Sequence, residues 1–247
     1  MDIKVLKSSN LKGKVSIPGD KSISHRSIIL SSIAEGISEI SGFLTGEDCL
    51  ATLNAFKKMG IKIDQHDRHI RVHGLGLNGL TKPGEDLDLG NSGTSMRLLA
   101  GLLSGQNFSS NLKGDSSLSS RPMNRIITPL NKMGALISLE GETAPIFIKP
   151  SKKLDGISYE LPVASAQVKS CIMLAGLYAQ TETTIIENHQ TRNHTEKMFE
   201  KFGIEIKEKY ENKQKIIKVS PPKKLNPTNI DIPGDFSSAS FLIVAGL

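Results

Sequence analysis

A unit of about 70 residues recurs three times in this chain, and a fourth copy begins near its end. Each copy opens on a turn of small residues leading into an apolar helix: Gly19-Asp20-Lys21-Ser22, Gly90-Asn91-Ser92-Gly93-Thr94 and Val163-Ala164-Ser165-Ala166-Gln167. Each later ends a second helix on glycine and turns into a strand, at Lys58-Met59-Gly60-Ile61, Lys132-Met133-Gly134-Ala135 and Lys201-Phe202-Gly203-Ile204. Glycine suits those positions because it takes the left-handed conformation just past a helix without a Cβ clash. The period is longer than that of common solenoids, so each copy is a small αβ subdomain rather than a rung. The fourth copy is announced by an echo, Ile17-Pro18-Gly19-Asp20 returning as Ile232-Pro233-Gly234-Asp235. Phe236-Ser237-Ser238-Ala239-Ser240 then leads into apolar residues up to Leu247. That helix has no cap, no second helix and no returning strand, which predicts an interrupted repeat.

Apolar spacing of three and four predicts helices over 22–35, 47–59, 92–104, 121–133, 165–179 and 194–202. Strand-like stretches lie at 4–6, 12–17, 38–42, 61–63, 69–73, 86–89, 109–112, 136–140, 146–149, 158–161, 183–187, 204–207 and 215–219. Helix, strand, helix and hairpin therefore repeat in order, an α/β (α+β) pattern. Three complete copies are expected to close into one lobe over residues 21–232. Residues 1–20 are expected to be strands of another lobe, and 233–247 its opening segment.

Composition narrows the chemistry. The chain has 38% apolar and 23% charged residues in 247, ordinary for a globular protein. It has no Trp and only 4% aromatics, which argues against stacking on single-stranded nucleic acid. Its net charge of +6 fits a solvated basic surface or a cleft that collects small anions. Cys49 and Cys171 fall inside apolar helices and are expected to be reduced and inert. The start, Met1-Asp2-Ile3-Lys4-Val5-Leu6, has no signal-type apolar core, and no apolar run approaches the roughly 20 residues that span a bilayer. A cytoplasmic location without membrane or nucleic-acid partners is expected.

The helix starts carry the chemistry. Ser, Thr, Asn and Gly cap well and leave backbone N–H groups pointing outward, where the helix dipole favours anions. Capping alone explains any one such turn. Three related turns accompanied by cations ask for more, and the cations are Lys21, Arg26, Arg97, Arg121, Arg125, Lys169 and Arg192. Arg121 is expected to start the second helix of its copy beside Pro122, with Arg192 in the similar place in the next copy. Guanidinium forks suit carboxylates and phosphates, so the ligand should carry several negative charges. Gly74-Leu75-Gly76-Leu77-Asn78-Gly79 follows a hairpin strand and enters no helix, so it is a loop rather than a nucleotide fingerprint. The six histidines form no metal set, no Ser-His-Asp order stands out, and neither metal nor cofactor is expected.

Four ordered segments, Lys21-Ser22-Ile23-Ser24-His25-Arg26, Leu89-Gly90-Asn91-Ser92-Gly93-Thr94-Ser95-Met96-Arg97, Gly114-Asp115-Ser116-Ser117-Leu118-Ser119-Ser120-Arg121-Pro122-Met123 and Val163-Ala164-Ser165-Ala166-Gln167-Val168-Lys169-Ser170, resemble the EPSP synthase family of enolpyruvyl transferases. The resemblance covers essentially the whole chain. It implies an inside-out α/β barrel of two lobes, each of three βαβαββ units, with this chain supplying one lobe and the stubs of the other. It also implies transfer of the enolpyruvyl group of phosphoenolpyruvate to the 5-hydroxyl of shikimate 3-phosphate, a step toward chorismate and the aromatic amino acids. By that resemblance Lys21 is catalytic, contacting phosphoenolpyruvate near the reacting hydroxyl, while Ser22 and Arg26 hold shikimate 3-phosphate. Gly93 (through its backbone) and Arg121 hold phosphoenolpyruvate. Ser165 and Ala166 bind the shikimate phosphate, Gln167 bridges both substrates, and Arg192 adds a phosphate contact. Gly93 leaves room for the inhibitor glyphosate. The family's proton-transfer carboxylates come from the second lobe, so the chain alone is expected to turn over little or nothing.

Two related enzymes fit less well. UDP-N-acetylglucosamine enolpyruvyl transferases typically place a reactive Cys in the loop that here reads Asp115-Ser116-Ser117-Leu118-Ser119-Ser120. RNA 3′-phosphate cyclases share a repeated unit, but the scarcity of aromatics and the anion-type turns weigh against them. The alternative from a different class is a non-catalytic anion-binding lobe, or a half-enzyme that needs a partner chain.

Overall fold

Three helices that bear almost no charge beyond their first turns have to be buried on every side, and that requirement organises the molecule. The computed structural model describes residues 12–246. The first unit runs α1 (Lys21–Ile33), β1 (Glu35–Ser41), α2 (Glu47–Lys58), β2 (Lys62–His66) and β3 (His69–Leu75). The second runs β4 (Leu87–Asp88), α3 (Gly93–Leu103), β5 (Ser110–Lys113), the single turn α4 (Ser116–Ser119), α5 (Asn124–Lys132), β6 (Leu136–Glu140) and β7 (Thr143–Lys149). The third runs β8 (Ser158–Glu160), α6 (Ala166–Gly176), β9 (Thr183–Glu187), α7 (His194–Lys201), β10 (Ile206–Glu211) and β11 (Gln214–Val219). β12 (Ile230–Asp231) and α8 (Phe236–Gly246) follow.

The sheets repeat one topology. Their orders are β4-β5-β7-β6, β8-β9-β11-β10 and β12-β1-β3-β2, each with one parallel pair at the first edge and antiparallel pairing thereafter. The first unit thus draws its edge strand from the far end of the sequence: Ile40 lies beside Ile230 and Ser41 beside Asp231. The two Ile-Pro-Gly-Asp segments also meet. Gly19 bridges Gly234, Asp20 N–H donates to the Pro233 carbonyl and Asp235 N–H to the Pro18 carbonyl, each at 2.8 Å.

α1, α3 and α6 form the centre. From Ser24 to Ile33 every residue of α1 is buried, and α3 and α6 are buried over comparable lengths. Each fully buried Leu or Ile side chain contributes about 1.5–3 kcal/mol. Serines replace charge on α1 and satisfy themselves locally, Ser27 Oγ donating to the Ser24 carbonyl at 2.8 Å and Ser32 Oγ to Ile28 at 2.7 Å. α2, α5 and α7 are amphipathic and bury only one stripe, such as Ile126, Ile127 and Leu130 of α5.

The predicted glycine ends are Schellman turns in all three units. Gly60, Gly134 and Gly203 have φ near +89°, +89° and +81°. Ile61, Ala135 and Ile204 N–H groups reach back to the carbonyls of Phe56, Leu130 and Phe199 at 2.9–3.0 Å.

Three expectations need correction. Residues 12–17 form no strand and are mostly exposed, since no neighbouring strand pairs with them among the described residues; the stretch at 4–6 lies outside those residues. The helix expected over 121–133 begins only at Asn124, and a separate helical turn precedes it. Asp115 accepts from Leu118 N–H at 2.7 Å and caps the separate turn α4, so Arg121 lies between α4 and α5 rather than at a helix start. β12 has no apolar run to announce it, being two residues long. α8 is helical with Phe236, Phe241 and Val244 each more than 70% exposed.

Candidate active site

The three central helices are joined to one another at their first turns. Each start is capped as its sequence dictates: Asp20 accepts from Ile23 N–H at 2.8 Å, Ser92 from Ser95 N–H at 3.2 Å and Ser165 from Val168 N–H at 3.3 Å. Other first-turn N–H groups have no acceptor within an α-helix, which leaves positive potential at each start.

α3 meets α6 through Gln167, whose Nε2 donates to Thr94 Oγ1 at 3.0 Å and whose Oε1 accepts from Arg97 Nη1 at 3.2 Å. Arg97 also reaches the Gly93 carbonyl at 3.2 Å. Arg121 Nη2 donates to Asn91 Oδ1 at 2.5 Å, and Asn91 Nδ2 in turn to Asp115 Oδ2 at 2.8 Å. Gly93, Arg97, Arg121, Asn91 and Gln167 therefore form one cluster. Burial, then the charges of Arg121 and Arg125, pull the Arg97 pKa below its ordinary value. Asp115 acts on Arg121 from beyond Asn91, and the three arginines leave the cluster with an excess of positive charge that suits anions.

α1 meets α6 and α7 through Arg26. Its guanidinium donates from Nε to Thr195 Oγ1 and from Nη2 to Ser170 Oγ, both at 2.7 Å, and from Nη1 to the Ser22 carbonyl at 2.9 Å. Arg26 is only 5% exposed. Burial lowers its pKa to about 10, partly offset by Glu196 and Asp20, and it stays cationic at neutral pH. Arg192 also acts on it from the exposed approach to α7. Lys21 is exposed and ion-paired with Asp48 of α2. Ser165 and Ala166 flank Gln167 and are half-buried. Lys21 and Arg192 make no hydrogen bond to the Arg97–Gln167 pair among the described residues; they hold the rim.

α1, α2 and α3 share a dry polar chain. His25 Nδ1 lies 2.8 Å from Thr52 Oγ1, which is 2.6 Å from Ser95 Oγ, itself 2.6 Å from Ser92 Oγ. The imidazole is wholly buried. Desolvation pushes its pKa from 6.5 to about 3; Asp48 opposes the shift, while Lys21 and Arg26 add to it. The unfolded chain binds a proton on His25 throughout the window between those values, so stability present above pH 6.5 drains away as pH falls. Acidification from pH 7 to pH 5 is expected to cost about 2 kcal/mol, and His25→Asn to remove that slope, as urea unfolding at each pH would show.

Sequence reasoning placed one cation wrongly and undervalued another. Lys169 was expected among the anion-gathering cations. It is fully buried and ion-paired with Glu187 and Glu196, because its position on α6 faces β9 and α7 instead of the helix start. Arg97 was one helix-start cation among several, yet it connects Gly93 to Gln167. Asp48, Thr94, Ser170 and Thr195 were given no role. Thr94 and Ser170 carried a local signal, in the Gly90–Thr94 turn and the Val163–Ser170 segment; Asp48 and Thr195 gain their role from partners distant in sequence.

Comparison with known proteins places the chain as a whole. The family model described as EPSP synthase (3-phosphoshikimate 1-carboxyvinyltransferase) matches residues 5–247. Proteins named 3-phosphoshikimate 1-carboxyvinyltransferase from Hydrogenovibrio crunogenus and Ruthia magnifica are 52% and 54% identical, over 99% and 98% of this chain but only 56% and 55% of their own lengths. A solved EPSP synthase from Acinetobacter baumannii superposes with a TM-score of 0.88 at 51% identity, covering 94% of this chain and 52% of that one. The chain thus spans about half the length of the relatives it matches. No helix among the described residues is long and apolar enough to cross a membrane.

Proposed function

The chain belongs to the EPSP synthase family, and from that premise we propose that it serves the transfer of the enolpyruvyl group of phosphoenolpyruvate to the 5-hydroxyl of shikimate 3-phosphate. The observation that carries the reading is the gathering of Arg97, Arg121 and Arg125 beside the joined starts of α3 and α6, with Arg26 and Lys21 at the start of α1. Both substrates are polyanions of the kind such a surface gathers. Because the chain spans about half of its relatives, the activity is that of the full-length protein, and the part proposed here is the substrate-gripping face of one lobe, residues 21–232. A cytoplasmic setting goes with phosphorylated substrates that do not cross membranes unaided.

In this reading Ser22 and Arg26 hold shikimate 3-phosphate, and Ser165 and Ala166 its phosphate, Ala166 offering only a backbone N–H. Gly93 and Arg121 hold phosphoenolpyruvate, Gln167 lies between the two substrates, and Arg192 supplies a phosphate contact at the rim. Lys21, steered by Asp48, stands by the reacting hydroxyl. The hydroxyl oxygen bonds to C2 of phosphoenolpyruvate as its proton leaves to a base and the methylene carbon gains a proton. The tetrahedral adduct then expels phosphate while the new methyl returns a proton, restoring the double bond. Cations stabilise the carboxylate and the departing phosphate.

Calorimetric titration with shikimate 3-phosphate, then with phosphoenolpyruvate added, tests the grip; a phosphate-release assay tests turnover. Saturable binding of shikimate 3-phosphate supports the reading. A folded sample that does not bind it sinks the reading.

A finer expectation concerns Gly93. A Cβ there would lie 2.7 Å from Arg97 Nη1 and 3.1 Å from Arg121 Nη1, so both flexible forks must shift. Gly93→Ala is expected to weaken phosphoenolpyruvate binding about tenfold, and glyphosate binding with it, while shikimate 3-phosphate binding stays within about twofold. Titrating each ligand into the variant would check the split.

A further inference from the structure

Behind Arg26 lies a closed set of buried charges that the proposed chemistry does not use. Lys169 Nζ donates to Glu187 Oε2 at 3.0 Å and to Glu196 Oε1 at 2.6 Å. The other Glu187 oxygen accepts from Thr191 Oγ1 at 2.5 Å, in the loop that leads into α7. Lys215 of β11, also buried, lies 3.7 Å from Glu196 Oε1 and 2.7 Å from Glu208 of β10. Asp20, His25, Arg192 and His194 are further charged or titratable groups that interact with Arg26. With Arg26 counted, three cations face three carboxylates, all buried except Glu208, which reaches solvent.

The members of this set are chain neighbours of the residues that grip Arg26. Ser170 follows Lys169 on α6, and Thr195 precedes Glu196 on α7. Those two hydroxyls are 2.6 Å apart and both accept from the Arg26 guanidinium. Apolar residues of similar volume often fill such a space as stably, so a buried ion pair is weak evidence of stabilisation.

We propose that Lys169 is a positioning residue: by holding Glu187 and Glu196 together it fixes the start of α7 from Thr191 to Thr195, and through Thr195 and Ser170 the orientation of Arg26. The consequence for substrate rests on the function proposed above; the consequence for Arg26 does not.

Lys169→Met leaves two cations against three carboxylates. Without the ammonium that joins them, the Glu187 and Glu196 carboxylates are left facing each other, and repulsion that grows as pH rises is expected to shift α7. The experiment measures shikimate 3-phosphate affinity by calorimetry, and the Arg26 Nε–H resonance (assigned by its loss in Arg26→Gln), between pH 5.5 and pH 8. Taking each variant as a ratio to the unmodified chain cancels the titration of the ligand's own phosphate. Lys169→Met is expected to match the unmodified chain near pH 5.5 and to bind about tenfold more weakly at pH 8, with the Arg26 signal lost in parallel. Lys169→Met/Glu187→Gln restores charge balance and is expected to stay within about threefold throughout. A pH-independent ratio for the single variant, whether unchanged or uniformly weakened, overturns the proposal, and so does equal loss in the double variant. If circular dichroism shows Lys169→Met unfolded at pH 8, the double variant decides, its intact affinity and Arg26 signal supporting the proposal and their loss overturning it. If the unmodified chain binds no shikimate 3-phosphate, the functional reading falls, and the Arg26 signal in the same variants still decides this one.

Discussion

Gly101→Ala is expected to lower the thermal midpoint by roughly 6–12 °C, a cost of about 3 kcal/mol, without touching a residue of the candidate site. Gly101 lies in the last turn of α3, where that helix packs against α6. A Cβ there would overlap the Cys171 carbonyl oxygen and lie 2.9 Å from its carbon and 3.0 Å from Cys171 Cα. All three atoms are helix backbone, so nothing can rotate aside. α3 must withdraw from α6, loosening buried Leu98, Leu102, Ile172 and Met173. The cost appears even though alanine is the better helix former by about 1 kcal/mol. Gly84→Ala is the control: its Cβ meets nothing within 4 Å, and its midpoint should move by about 1 °C at most. Calorimetric melts compare the two. A drop of under about 2 °C for Gly101→Ala would mean that the crossing is looser than the backbone distances require.

Arg26→Gln is expected to weaken shikimate 3-phosphate binding about a hundredfold or more, and Arg26→Lys about tenfold. Arg26 uses three of its five N–H groups to fix its plane against Thr195, Ser170 and the Ser22 carbonyl, so its charge is delivered from a rigid fork. Lysine keeps the charge and loses the fork; glutamine loses the charge. Titration calorimetry at fixed ionic strength separates the two contributions, with a melt of each variant to show that it is folded. Equal binding by Arg26→Lys and the unmodified chain would mean that charge alone suffices. Unchanged binding by both variants would make Arg26 a purely structural bridge.

Much of the local architecture was legible in the chain. The glycine ends of α2, α5 and α7 follow from glycine's backbone freedom, and each sits where its sequence put it. The strand at 183–187 and the helix from 194 match their apolar periodicity. Legibility failed where local and distant signals compete. Arg121-Pro122 reads as a helix start, but Asp115 caps an earlier turn that ends before Arg121, and the helix itself begins only at Asn124. Residues 12–17 have strand-like composition, yet a strand is defined by its neighbour.

The sequence by itself determined the repeat, the caps and which helices must be buried, because those depend on backbone sterics and on the apolar surface of a few consecutive residues. Only the tertiary structure decided that the first sheet takes its edge strand from residues 230–231 and that Arg97 joins Gly93 to Gln167. It alone decided that Lys169 turns inward to two carboxylates while Arg26 is gripped from α6 and α7. A charged side chain looks the same in sequence whether it meets solvent, substrate or a buried partner. What separates those fates is the set of groups folded against it, which for Lys169 and Arg26 lie 18 to 169 residues away along the chain.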